Sequence, residues 1–241
     1  MIYLIVIVIL FALLLSFYQG VPKYYSNQSA NFDLLNRVSG LVFINCDHRI
    51  DRREDFLSQF SKNDLKKIHR LSCSFDPENP EYGCMLSHIR VLEYAKKHFS
   101  NAHDSYIFIA EDDLQITDTR RYIDAVNRFL DHGIEWDVLM IGHNTIISCA
   151  SEIKDIIRTT NSQTASGYII RYQYIDKLLA VYYEARDNYL HDKIWKPLAY
   201  CSDRSWKKLQ PVDLWYAVNP RVAIQRESYS DIQKEIVNYG V

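Results

Sequence analysis

The chain has 241 residues, a length typical of one domain with a small appendage. Its 48% hydrophobic and 24% charged residues are the composition of a globular protein that buries a sizeable core. A formal net charge of −2 argues against a general nucleic-acid binder, because such a domain would be strongly basic. An anionic ligand would therefore be held locally, by a metal ion or by a few arginines.

The chain begins with an apolar segment. Residues 2–18 carry only apolar or aromatic side chains apart from Ser16, and a run near that length can cross a bilayer. No basic residue precedes Lys23 and no small-residue cleavage motif follows, which favours an uncleaved anchor over a cleaved signal peptide. We expect a single-pass membrane protein with an anchor at 1–19, a polar stalk at 20–39 and one domain at 40–241. The few flanking charges leave the orientation open.

The five cysteines include no CxxC pair and no histidine at the spacing of a structural zinc site, so no such site is predicted. Their odd number leaves at least one thiol unpaired unless it bridges two chains. The other interpretation of several of them is a small buried side chain.

Apolar runs and amphipathic segments alternate along the rest of the chain. Four apolar runs predict strands: 41–44, 106–110, 136–141 and 167–170. Four periodic segments predict helices: 51–60, 82–99, 118–132 and 172–183. The alternation predicts an α/β fold with a mostly parallel sheet that is covered on both faces.

Polar clusters follow the first two predicted strands. Residues 45–53 come after one apolar run, and Glu111-Asp112-Asp113 come after the next. Ligands of open parallel sheets bind at the carboxyl ends of the strands. We therefore expect both clusters at one edge of the sheet, in a single binding site.

The three consecutive acids point to a cation. Neighbouring carboxylates repel one another unless they are solvated or bound to a cation. On an extended backbone Glu111 and Asp113 point to one side and Asp112 to the other. Hard oxygen ligands with room for waters suit Mg²⁺ or Mn²⁺. The alternative interpretation is an acidic strand end or a helix cap.

The cluster at 45–53 contains three arginines, which bind phosphate oxygens bidentately, although a solvated helix start would also explain them. His88, early in a predicted helix, is either functional or a hydrogen-bonded structural residue. The sequence contains no G-x-S-x-G, Walker-type or G-x-G-x-x-G motif. That argues against the corresponding hydrolases, kinases and dinucleotide-binding enzymes.

Several motifs, in this order, resemble glycosyltransferase family 25, which includes lipopolysaccharide-type and procollagen galactosyltransferases and members from large DNA viruses. They are INCDHRIDRRE at 44–54, GCMLSH at 83–88, IAEDDL at 109–114 and SGYII at 166–170, with SDRSWKKLQ at 202–210 and IQRESYSDI at 224–232. The resemblance spans about residues 40–241. It implies a GT-A-like fold, a UDP-sugar donor, Mn²⁺ (or Mg²⁺) and transfer with inversion at the anomeric carbon.

The resemblance also assigns roles to residues. Asp113 is the first choice as metal ligand and Glu111 the second. The residues that match the donor-binding motifs are Asn45, Asp47, Arg49, Arg52, Gly83, Ser87, His88, Glu111, Asp112, Gly167 and Tyr168. Inversion needs a base to take the acceptor's proton, and Asp203 is the candidate, with Asp213 second.

Two positions depart from the family's pattern. Cys46 stands where the family usually has leucine, which should be tolerated. The acid-rich segment expected near 202–204 is reduced to Asp203, flanked by Ser202 and Arg204. This reduction bears directly on the assignment of the base.

These expectations combine into one predicted function. The protein would transfer a hexose, galactose or glucose, from a UDP-sugar to a glycan or hydroxylated acceptor, with no nucleic-acid partner. Its location would be a membrane, either a host endomembrane or a virion membrane if the protein is viral. The alternatives are a nucleotide-sugar hydrolase and an inactive, membrane-anchored protein that binds a sugar or nucleotide.

Overall fold

A computed structural model describes residues 32–100, 105–192, 200–230, 234–238 and 240. The predicted anchor at 1–19 lies outside these ranges. Within them, no helix is both long enough and apolar enough to cross a membrane.

The described residues form ten strands and five α-helices, and three 3₁₀ turns. The strands are β1 (Gly40–Asn45), β2 (Ile68–Ser72), β3 (Tyr106–Glu111), β4 (Leu114–Ile116), β5 (Val138–Ala150), β6 (Ile156–Arg171), β7 (Trp215–Val218), β8 (Ala223–Gln225), β9 (Ser228–Ser230) and β10 (Glu235–Val237). The helices are α1 (Ile50–Leu57), α2 (Pro80–His98), α3 (Thr119–Asp131), α4 (Ile175–His191) and α5 (Ser202–Ser205). The 3₁₀ turns are Asp64–Lys67, Tyr172–Tyr174 and Trp206–Lys208.

A six-stranded sheet in the order β2-β1-β3-β6-β5-β7 forms the centre of the domain. β1 runs parallel to β2 and β3, and β5 runs parallel to β7, whereas β6 is antiparallel to both β3 and β5. Five strands therefore share one direction and β6 opposes them. The α/β fold with a mostly parallel sheet is confirmed.

Both faces of the sheet are covered, which explains why its central strands are continuous apolar runs. Val42 in β1 packs in a core cluster with α2 and α4, which contribute Met85 and Leu178 among others. Its neighbour Phe43 points the other way, into a second cluster with α1 and α3, which includes Phe129. The alternation within one strand thus builds two cores.

The folded domain begins earlier than the predicted boundary at residue 40. Leu34, Leu35 and Val38 are buried in the second core cluster. The buried carboxylate of Asp64 accepts hydrogen bonds from the backbone N–H groups of Leu34 and Leu35, at 2.8 Å each. The described end of the predicted stalk, from residue 33 on, is therefore part of the domain, because its apolar side chains pack into this core.

A disulfide joins Cys46 and Cys73, which directly follow the neighbouring strands β1 and β2, with the Cα atoms 4.7 Å apart. Cys84 and Cys149 carry free thiols. This agrees with the odd number of cysteines, which cannot all form pairs within one chain. The disulfide fixes two strand ends at the edge of the sheet where the ligand site was predicted.

Loss of this disulfide is expected to lower the free energy of unfolding by about 2–4 kcal/mol, because the crosslink restricts the unfolded chain. Urea unfolding of the wild type and Cys46→Ser, with and without reductant, measures the difference. Cys149→Ser is the matched control, since that thiol is exposed and free. Equal stability of the wild type and Cys46→Ser under oxidising conditions would contradict the prediction.

Candidate functional site

A cleft of about 340 Å³ opens at the carboxyl edge of β1 and β3. Its walls come from the end of β1, the start of α1, the segment that leads into α2, the end of β3 and the C-terminal strands. The lining residues are Ile44–Cys46, Arg49, Arg52, Cys73–Pro77, Pro80, Gly83, Cys84, Ser87, Glu111–Asp113, Gln225, Ser228–Ser230 and Lys234. The two polar clusters that follow β1 and β3 thus meet in one cleft.

Asp112 is fully engaged by neighbouring side chains. Asn45 Nδ2 donates to Asp112 Oδ2 at 2.7 Å, and Arg52 Nη1 donates to Asp112 Oδ1 at 3.0 Å. Burial raises the pKa of Asp112, while Arg52 and Asn45 oppose that shift. With both oxygens occupied, Asp112 ties the ends of β1, α1 and β3 together.

Asp113 differs from Asp112 in having one oxygen without a partner. Its Oδ2 accepts hydrogen bonds from Gln225 Nε2 at 3.0 Å and Arg52 Nη1 at 3.4 Å. Its Oδ1 is buried and has no hydrogen-bond partner among the residues that the structure describes. Burial, followed by the charge of Glu111, raises the pKa of Asp113 to about 7. A buried carboxylate oxygen with this environment fits a ligand of a hard divalent cation.

This pKa has a consequence for stability. In the metal-free protein, the free energy of unfolding is expected to fall as the pH rises from 3.8 to about 7, the interval between the ordinary and the folded-state pKa of Asp113. Over that interval the folded state keeps a proton that the unfolded chain has released, so raising the pH favours unfolding.

Urea unfolding at pH 5 and pH 8 measures this pH dependence, and Asp113→Asn should remove the part that Asp113 contributes, so that the variant is more stable than the wild type at pH 8. Asp131→Asn, at an exposed acid that pairs with Arg37, is the control. The same pH dependence in the wild type and Asp113→Asn would contradict the prediction.

Glu111 contacts His88 on α2. The two side chains are joined through His88 Nε2 and Glu111 Oε1 at 2.9 Å. His88 is completely buried, while the Glu111 side chain is 21% exposed and lines the cleft. His88 was predicted as either functional or structural, and the structure places it directly behind the acidic cluster.

Gly83 and Ser87 form the α2 wall of the cleft. A Cβ on Gly83 would lie 2.3 Å from the carbonyl oxygen of Ser74, so the close approach of the two segments requires glycine. Ser87 Oγ donates to the Gly83 carbonyl at 2.8 Å and accepts from Ser74 N–H at 2.8 Å. Both residues therefore shape the cleft through the backbone around Ser74.

Arg49 and Arg52 hold the C-terminal segment against the cleft. Each donates to the carbonyl oxygen of Tyr229 at 3.0 Å, and Arg52 also hydrogen-bonds Ser228. Asp47 lies at the rim, is 75% exposed in its side chain, and pairs with Arg70. Asp47 therefore lies near the cleft but does not line it, whereas both arginines do.

Gly167 and Tyr168 lie in the sheet rather than in the cleft. A Cβ on Gly167 would meet the Leu114 side chain at 2.6 Å, so this glycine makes room for core packing. Tyr168 is completely buried and packs edge-to-face on Trp206, with 5.4 Å between ring centroids. Neither residue lines the cleft, although Gly167 pairs with Ala110, the residue before Glu111, and the charge of Glu111 helps to raise the pKa of Tyr168.

The two candidate bases lie in different places. Asp203, in α5, accepts a hydrogen bond from Thr164 N–H at 3.1 Å. It does not line the cleft, but its charge adds to burial and Glu111 in raising the pKa of Cys84, which does.

Asp213 precedes β7, and therefore lies at the amino edge of the sheet, opposite the acids. There it accepts a hydrogen bond from the hydroxyl of Tyr174 at 2.6 Å and pairs with Lys177. The structure thus separates Asp213 from the cleft, which argues against its selection as an alternative base.

Gln225, Ser228 and Cys84 line the cleft although no role was predicted for them. The first two belong to the IQRESYSDI motif and Cys84 to GCMLSH, so the motifs contained them. The sequence does not indicate which side chains of each motif face the acids.

Comparisons with known proteins give limited similarity. No protein-family model matches the chain. No curated protein sequence matches it either. Among solved structures, a glycosyltransferase involved in the glycosylation of the major capsid of PBCV-1 aligns with TM-score 0.48 and 9% identity, over 81% of this chain and 98% of that one. The mannose-1-phosphate geranyltransferase from Thermus thermophilus aligns with TM-score 0.39 and 11% identity, over 81% of this chain and 76% of that one. Fold and cleft together define an α/β domain with a buried acidic cluster at the carboxyl edge of its sheet.

Proposed function

We propose that this protein is a metal-dependent glycosyltransferase with a GT-A-like fold that uses a nucleotide-sugar donor. The observation that carries the proposal is Oδ1 of Asp113, which has no hydrogen-bond partner among the described residues and is buried beside Glu111 in a cleft that Arg49 also lines. A cleft of about 340 Å³ is within the range of small-ligand sites, about 300–1,000 Å³.

The charges of the cleft support a cation. Arg52 bonds both Asp112 and Asp113, while Glu111, which lines the same cleft, contacts His88. Burial and the neighbouring charge of Glu111 disfavour the ionised form of Asp113, and a divalent cation would offset both effects. Mn²⁺ or Mg²⁺ bound there would supply charge that stabilises the departing diphosphate. Asp113 would be the principal ligand, with Glu111 second.

The residues of this chain would divide the remaining work. Arg49 lies where it can bind phosphate oxygens of the donor. Asn45 and Arg52 hold Asp112, and thereby the backbone on either side of it, so that Glu111 and Asp113 keep their places. The motif resemblance supports Asp203, whose charge acts on the cleft residue Cys84, as the group that would accept the proton of the acceptor hydroxyl in an inverting transfer.

The finer assignments belong to the same proposal. The motif resemblance to glycosyltransferase family 25 supports a UDP-sugar donor, a hexose as the transferred group and a glycan or hydroxylated acceptor. The apolar segment at 1–19 supports a single-pass anchor that keeps the enzyme at a membrane.

Incubation of the purified full-length chain with a panel of nucleotide sugars, Mn²⁺ and candidate acceptors, followed by measurement of released nucleotide, tests the proposal. Release that requires both an acceptor and the metal is the expected result. Release that is independent of acceptor would indicate a hydrolase instead. Binding of UDP with no turnover of any donor would indicate an inactive binding protein.

A further inference from the structure

A second group of metal-ligating side chains lies next to the acidic cluster. Cys84 and His88 stand four residues apart on α2, so their side chains share one face of the helix. Glu111, at the end of β3, faces them. One potential ligand atom from each of the three residues lies within 4.8 Å of the other two.

The chemistry of this group differs from that of Asp113. A thiolate and an imidazole are borderline-soft ligands that favour zinc, whereas Mg²⁺ and Mn²⁺ favour sets of oxygen ligands. Tetrahedral zinc, with bonds of about 2.0–2.3 Å, holds its ligand atoms about 3.3–3.8 Å apart. The spacing of Cys84, His88 and Glu111 is compatible with that geometry after small side-chain movements.

We propose that Cys84, His88 and Glu111 form a zinc site with three protein ligands. Cys84 and Glu111 both line the cleft, so a fourth position on the ion would face it and accept water or an anionic ligand. The inference does not depend on glycosyl transfer, because none of its evidence comes from the proposed reaction. Glu111 would serve both sites: Oε1, which contacts His88, would bind the zinc, and Oε2 would remain for the cation at Asp113.

The immediate surroundings support the site. His88 is completely buried, and its Nδ1 is a buried atom with no hydrogen-bond partner among the described residues. Its ring is therefore held by packing and by the contact of Nε2 with Glu111 at 2.9 Å. Insertion of zinc would replace that contact with two metal–ligand bonds and move the two atoms a few tenths of an ångström apart.

Titration of the full-length chain with Co²⁺, a spectroscopic substitute for zinc, tests the site. We expect one Co²⁺ per chain, with a thiolate-to-cobalt charge-transfer band and the intense visible bands of a tetrahedral site, all abolished by competing Zn²⁺. Cys84→Ser and His88→Gln should each weaken Zn²⁺ binding by more than about 10-fold, since loss of even an outer-shell partner costs about 10–100-fold. A wild type without the charge-transfer band, or Cys84→Ser with it, would overturn the proposal.

Two control variants separate this site from other metal binding. Cys149→Ser removes an exposed free thiol, and Asp113→Asn removes the principal ligand proposed for Mn²⁺, so both should keep the cobalt spectrum. Loss of the spectrum in Asp113→Asn, with the fold intact by circular dichroism, would show that the ion binds elsewhere and overturn the proposal.

A further measurement on the wild type keeps the test decisive if a variant fails to fold. Zn²⁺ should slow alkylation of Cys84 by iodoacetamide, measured by mass spectrometry, while leaving alkylation of Cys149 unchanged. Equal alkylation of Cys84 with and without Zn²⁺ would overturn the proposal.

Discussion

Asp113→Asn is expected to lower sugar transfer at least about 100-fold, because it removes the buried carboxylate oxygen that would hold the cation. The same change should abolish the strengthening of UDP binding by Mn²⁺. Calorimetry with UDP, with and without Mn²⁺, and steady-state transfer rates measure both effects. Because the variant is also expected to be more stable than the wild type at pH 8, loss of activity could not be ascribed to unfolding.

Asp131→Asn is the matched control for this experiment. Asp131 is an exposed acid at the end of α3 that pairs with Arg37, and the same substitution there should leave metal binding and transfer unchanged. UDP affinity that is equal with and without Mn²⁺ in both the wild type and Asp113→Asn would contradict the metal assignment.

Asp203→Asn is expected to lower transfer by about 10²–10⁴-fold, the usual cost of losing a general base, while donor binding persists. The substitution keeps the shape of the side chain, and its amide oxygen can still accept the hydrogen bond from Thr164 N–H. Rates with saturating donor, together with UDP affinity from calorimetry, separate a chemical defect from a binding defect.

Asp213→Asn provides the contrast, because Asp213 lies at the opposite edge of the sheet. Its carboxylate is buried and bonded to Tyr174 and Lys177, so the change should cost about 1–3 kcal/mol of stability and leave turnover of the folded protein nearly unchanged. Turnover within a few-fold of wild type in Asp203→Asn, with a large loss in Asp213→Asn, would reverse the assignment.

The sequence predicts the central strands that are continuous apolar runs, but it missed β7, which is also largely buried. β1 and β3 are continuous apolar runs because α-helices cover the sheet on each side, so periodicity and length identify them. β2, with the sequence IHRLS, was missed, since it is an edge strand whose residues are all partly exposed. The second half of β5 and the first half of β6, which pair with each other, were also missed. β5 is exposed from Ile146 onward, so its sequence there is not a continuous apolar run.

The sequence predicts those residues of the site that lie at the ends of strands. Asn45 and the three acids each follow a buried strand, and the carboxyl ends of parallel strands meet at one edge. Tyr168 shares the face of the sheet that Glu111 occupies but is buried against Trp206 instead of lining the cleft, which a motif of residue types does not reveal. Asp213 was misplaced because it precedes a strand, which puts it at the amino edge.

The zinc site illustrates a limit of spacing rules. Cys84 and His88 are four residues apart, but two ligands on one helix do not define a metal site. The third, Glu111, comes from another element, 23 residues further along the chain than His88. Only the packing of α2 against β3 brings the three side chains together.

The disulfide between Cys46 and Cys73 limits the compartments in which the folded domain can keep this bond intact. Disulfides form and persist in oxidising compartments, whereas glutathione and thioredoxin keep most thiols in the cytosol reduced. If the apolar segment at 1–19 spans a membrane, an intact bond requires the domain to lie on the non-cytosolic side. The acceptor sequence Asn27-Gln28-Ser29 would then lie on that same side, open to N-glycosylation.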